Sequence, residues 1–110
     1  TIQTLDAGDG EVTPEEETVL GVAPNPFKET AYFIFSHTED ASVQIEIYTV
    51  SGERVTQLSF DYVTGQLIEV PWQGTNLLGN EVSTGVYIYR FLAVGEATTY
   101  EKFGKIAVTR

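Results

Sequence analysis

A chain of 110 residues, 42% hydrophobic, is sized for one globular domain with a single modest core. It contains neither cysteine nor methionine. That excludes disulfides, thiol nucleophiles and Cys-ligated metal, and leads us to expect a stretch of a longer protein. Its net charge of −10 speaks against nucleic acid and anionic lipid as partners, because both need clustered Lys and Arg.

Residues 1–17 carry six acids and no base, together with Gly8, Gly10 and Pro14. This composition predicts a solvated acidic linker extended by self-repulsion, with the folded domain spanning 18–110. Asp6, Asp9 and Glu11 are only a faint likeness of a calcium loop, since the alternating ligands and the distal Glu are missing.

From Thr18 onward the pattern is strand after strand. A short β-branched run over 18–22 stops at Pro24-Asn25-Pro26. The next run, 30–36, sets Phe33 and Phe35 on one face and Tyr32 and Ile34 on the other. The clearest alternation is 42–50, with Val43, Ile45 and Ile47 against Gln44, Glu46 and Tyr48. Ser51-Gly52 predicts a tight hairpin turn into a strand over 53–60. A strand over 66–72 aligns Ile68, Val70 and Trp72, and residues 74–83 read as a polar loop. Strands over 85–93 and 98–109 form a final hairpin. Seven strands without a helix predict an all-β fold, a seven-stranded antiparallel Ig-like β-sandwich. Trp72, Tyr87, Tyr89 and Phe91 are expected in its core.

Catalysis finds no support. The single histidine, His37, has no matched nucleophile and is expected at the surface. No metal-binding, Walker or dinucleotide motif occurs, so neither an enzyme nor a cofactor is expected. The carboxylates fall in the linker or on outward strand positions such as Glu46 and Glu69.

Several motifs recur in an ordered set: Gly21-Val-Ala-Pro24-Asn25-Pro26-Phe27, then Val43-x-Ile45-x-Ile47-Tyr48-x-x-Ser51-Gly52-x-x-Val55, then Ser83-Thr84-Gly85-Val86-Tyr87-Ile88-Tyr89, and a basic end strand over 102–110. In order and spacing they resemble the C-terminal sorting domains of the type IX secretion system. The run Trp72-x-Gly74-x-x-x-x-Gly79-x-x-Val82-x-x-Gly85 is also similar to the Ig-like domain of flagellar hook-capping proteins. Read as structure, Pro24, Asn25, Pro26, Gly52, Val55, Gly85 and Tyr87 are fold determinants, with Gly52 and Gly85 supplying backbone freedom.

The resemblance implies export through the periplasm to the outer membrane and cell surface. Its partners would be an outer-membrane shuttle protein, the type IX translocon and an upstream passenger. The terminal strand reads Lys-Phe-Gly-Lys where typical cargo domains show adjacent lysines, which leaves open a retained domain, such as that of the system's own surface sortase. Recognition is expected on Lys102, Lys105, Ile106, Val108 and Arg110, where bases break an acidic background and an edge strand could pair with a partner. Deleting 101–110 is expected to abolish export, and unpaired edges leave a weak homodimer open. The other reading is a structural or glycan-binding module stacking sugars on Tyr32, Tyr48 or Tyr62.

Overall fold

The computed structural model describes residues 18–110. The linker and the faint calcium-loop likeness at Asp6–Glu11 lie outside the described residues. Seven strands follow in order: β1 (Val19–Ala23), β2 (Ala31–Ser36), β3 (Ala41–Thr49), β4 (Arg54–Tyr62), β5 (Ile68–Trp72), β6 (Gly85–Val94) and β7 (Thr99–Val108). They form two antiparallel sheets, β1-β2-β5 and β4-β3-β6-β7, packed face to face. No helix long and apolar enough to cross a membrane occurs among the described residues.

Period-two burial makes this a sandwich. In β3, Val43, Ile45 and Ile47 are buried while Ser42 and Gln44 are exposed. Across the interface, Phe33 meets the Tyr89 ring edge-on at 5.2 Å, and Phe35 lies 4.7 Å from Phe91 and 5.1 Å from Tyr62. At the other end of the core Trp72 packs on Phe27 and Tyr87, at 5.5 and 6.1 Å. Trp72, Tyr87, Tyr89 and Phe91 are therefore core residues, as their positions predict.

The β3–β4 hairpin shows how one motif sets register. Gly52, at φ 98°, closes a three-residue loop in which its N–H donates to Thr49 C=O. Register then slips: Ile47 faces Thr56 but Tyr48 faces Arg54, leaving Val55 as a bulged extra residue. The bulge turns both Val55 and Thr56 inward, which strict alternation forbids. It also frees the Val55 carbonyl to accept from Leu77 N–H in the long loop, at 3.1 Å.

Three expectations need correction. His37 is buried, not superficial: its Nδ1 is 2.8 Å from Thr18 Oγ1, its Nε2 is 3.0 Å from Thr98 Oγ1, and its ring stacks on Phe35. Two hydroxyls satisfy both ring nitrogens, which removes the cost of burying them. Gly85 has neither a left-handed φ nor a neighbour that a Cβ would strike, so the fold does not require glycine there. Tyr62 is also buried. Its hydroxyl accepts from His37 N–H and donates to Gln66 C=O at 2.6 Å, tying β4 to the start of β5.

Candidate functional site on the terminal hairpin

The residues proposed for recognition lie on or beside β7, and the structure divides them. Ile106 and Val108 are wholly buried between the sheets, so a partner reading the folded surface cannot touch their side chains. Arg110 folds back as a clamp. Its guanidinium donates to Val82, Lys28 and Gly74 carbonyls, at 3.1, 3.1 and 2.6 Å. Its backbone N–H donates to Thr84 Oγ1, and Glu81 lies 3.9 Å away. Gly74, at φ +71°, leaves the space the guanidinium occupies: a Cβ there would lie 2.6 Å from Nη2. Lys102 and Lys105 are exposed, and neither makes an ion pair among the described residues.

The Pro24–Phe27 segment explains why it recurs with the terminal strand. After β1 it crosses from one sheet to the edge of the other. The Asn25 side-chain amide acts there as a surrogate strand, donating to Lys105 C=O at 3.0 Å and accepting from Ala107 N–H at 2.9 Å. Phe27 continues the pairing: its N–H donates to Ala107 C=O and its C=O accepts from Thr109 N–H. Pro24 and Pro26 bring no N–H of their own, so no unpaired donor is left at those positions. Half of an edge strand is thereby covered. This corrects the expectation of a fully open terminal edge.

An ion-pair ladder crosses the outer face of the four-stranded sheet. Arg90 on β6 donates to Glu101 at 2.6 Å and to Glu46 at 3.2 Å, and Arg54 stands 3.5 Å from the other Glu46 oxygen. Tyr48 donates to Glu46 at 2.8 Å. Tyr48 is therefore engaged and Tyr62 is buried, leaving only Tyr32, 40% exposed, of the three tyrosines considered for sugar stacking. Among the described residues no three His, Asp or Glu side chains converge as metal ligands.

At the opposite end of β7, the Glu39 carboxylate clamps the turn before the strand. It accepts from Ala97 N–H, Thr98 N–H and the Thr98 hydroxyl. The Thr98 hydroxyl bond, aided by those amides, holds the Glu39 carboxyl below its ordinary value of 4.5. Glu46 is lowered too, chiefly by the Tyr48 hydroxyl and then by Arg90. Carboxyls lowered in the folded state add stability above their unfolded value and lose it as pH falls through the folded one. The urea midpoint should therefore drop as pH is taken below about 4.5. Glu39→Gln with Glu46→Gln should flatten that drop, and an unchanged slope would assign acid sensitivity to other groups.

Compared with known proteins, residues 21–105 match the family described as the secretion system C-terminal sorting domain. The chain belongs to this family. The matched span holds the Asn25 cap, the bulged hairpin and β7 as far as Lys105. No curated protein matches this sorting domain. Among solved structures it is similar to dimeric latent PorU from Porphyromonas gingivalis, 28% identical with a TM-score of 0.70 over 82% of this chain. PorZ, a surface component of the type IX secretion system of the same organism, is 23% identical with a TM-score of 0.52 over 83% of the chain. FlgD from P. aeruginosa is 16% identical with a TM-score of 0.58, spanning 83% of this chain and 72% of its own; PorZ and FlgD speak for the fold alone. The sorting domain spans only 9% of the PorU chain and 11% of the PorZ chain. The fold and the type IX character read from the motifs both hold, and the family is one of sorting signals rather than catalysts.

Proposed function

We propose that this domain delivers an upstream passenger across the outer membrane to the cell surface by type IX secretion, docking it to the outer-membrane shuttle protein and the translocon. The observation that carries this reading is the family match over residues 21–105, with PorU similarity across the same sandwich. The structure supplies a surface suited to docking. Lys102 and Lys105 stand unpaired on β7 of a domain whose described residues carry ten acids against six bases. Such cations attract an acidic partner over a distance of about a Debye length, ~8–10 Å. The domain needs only binding and no bond-breaking step of its own.

The experiment is a reporter fused upstream of residues 1–110 in a bacterium that possesses type IX secretion. Surface exposure, read by protease accessibility, is the expected result. The mass of the surface product then tells a retained anchor, which keeps residues 18–110, from a discarded signal. A folded fusion stranded in the periplasm would defeat the sorting reading and leave an accessory module, with Tyr32 as its remaining sugar-facing ring.

A further inference from the structure

In an antiparallel strand, the N–H and C=O of one residue point to the same side, and successive residues alternate. Asn25 and Phe27 bond Lys105, Ala107 and Thr109 on the side away from β6. The odd-numbered residues of β7 therefore aim their backbone groups at the open edge. Beyond the cap, Thr99, Glu101 and Phe103 do so with no partner among the described residues, since β7 pairs only with β6. On the outer face of this stretch Phe103 is 60% exposed, opposite Arg90 on β6 and diagonal to half-buried Leu92 and Ile88. Lys102 projects from the other face and Lys105 from the same face as Phe103.

We propose that the uncapped half of β7, Thr99 to Phe103, receives an extended strand of a partner protein. That strand would continue the four-stranded sheet, lay an aliphatic side chain on Phe103 and set carboxylates against Lys102 and Lys105. The inference rests on the transport reading only for where the partner is met, along the type IX route. The cap shows that this edge accepts strand-like partners, because Phe27 already bridges to Val108 in parallel. A bare edge is a liability that proteins blunt with proline, lysine or a covering segment. Here the covering stops at Lys105 and an exposed phenylalanine follows.

A second copy of the chain is a poor occupant. Two-fold pairing of β7 with itself inside the open stretch sets Glu101 opposite Glu101 of the other copy, sets Lys102 opposite Lys102 of the other copy, or, centred on Tyr100, joins no more than Thr99 to Glu101. Like charges directly opposite destabilise a ladder. The register centred on Phe103 relieves this but brings Thr99 of one copy onto Ala107 of the other, where Asn25 already sits. Charge, the Asn25 cap and the shortness of the remaining register thus each disfavour self-pairing, and the edge suits a longer strand of complementary sign.

The test compares Glu101→Pro with Glu101→Ala in the upstream-reporter fusion. Both lose the Arg90 ion pair, but only proline removes the outward N–H, and edge positions tolerate proline. Glu101→Ala should reach the surface as the native fusion does. Glu101→Pro should fall at least ~10-fold in delivery, the loss of ~1.4 kcal/mol or more of docking free energy, with its circular dichroism unchanged. Equal delivery by the two variants overturns the proposal. Should Glu101→Pro melt far below Glu101→Ala, Thr99→Pro against Thr99→Ala makes the same comparison at the first strand residue. Charge reversal at Lys102→Glu with Lys105→Glu should also lower delivery, and unchanged delivery would overturn the acidic character of the partner. Sedimentation of the native 110-residue chain should show a monomer; a dimer abolished by Glu101→Pro would assign the edge to self-pairing and overturn the proposal. A native fusion confined to the periplasm overturns the transport reading and this inference together, whereas a native fusion at the surface beside an unaffected Glu101→Pro overturns this inference alone.

Discussion

Phe35→Ala should cost about 3–5 kcal/mol of stability and lower the melting midpoint by roughly 12 °C or more. Phe35 is fully buried and its ring lies 5.1 Å from Tyr62, 4.7 Å from Phe91 and 5.7 Å from His37. These neighbours come from β4, from β6 and from the residue that follows β2, so no single element can collapse into the space. Each is itself pinned: Tyr62 bonds His37 and Gln66, and His37 bonds Thr18 and Thr98. The void would persist, and a persisting void is what makes truncation expensive. Phe35→Leu, which refills most of it, should recover more than half of the loss in chemical denaturation. A loss below about 1.5 kcal/mol for alanine would show that the polar frame around the ring yields more readily than its bonds suggest.

Gly104→Val should be destabilising by about 2–3 kcal/mol, although valine is the better strand former. Gly104 has no left-handed φ, so the backbone does not demand glycine. The obstacle is Tyr89, its cross-strand partner, whose phenol lies across the glycine. A Cβ there would run into the ring's Cζ and hydroxyl oxygen. The ring is buried and packed edge-on against Phe33, so it cannot swing aside without opening the core. The cost should shrink when the same substitution is made in a Tyr89→Ala background, giving a coupling of about 1 kcal/mol or more in a double-mutant cycle. Additive effects would mean that the strain lies in β7 itself.

The Lys-Phe-Gly-Lys run thereby has a packing reason. Tyr89 fills the inner side of the strand between two lysines, and the glycine makes room for it. Period-two alternation made the seven strands legible because both sheets bury one face each. The same alternation over Lys105–Val108 already marks Ile106 and Val108 as inward. Their basic neighbours drew attention to the segment for its charge, and charge says nothing of which side chains the core takes. Deleting 101–110 would consequently test folding before it tested recognition. The bulge at Val55 and the bond from Asn25 to a strand 80 residues away leave no local trace, since each depends on a partner brought up by the tertiary fold. His37 was hidden for the same reason: its two hydroxyl partners lie 19 and 61 residues away.

The cap on β7 also has a meaning in time. Asn25 and Phe27 are synthesised before their partners at Ala107 and Thr109, which lie 82 residues later in the chain. The clamp joining Lys28 to Arg110 spans the same interval. Long-range pairing of this kind makes folding slow, because the intervening chain must be ordered before the contacts reward it. A polypeptide wired this way keeps the cap of β7 open until residues 105–110 have been made, so the terminal edge is the part of the sandwich that closes late.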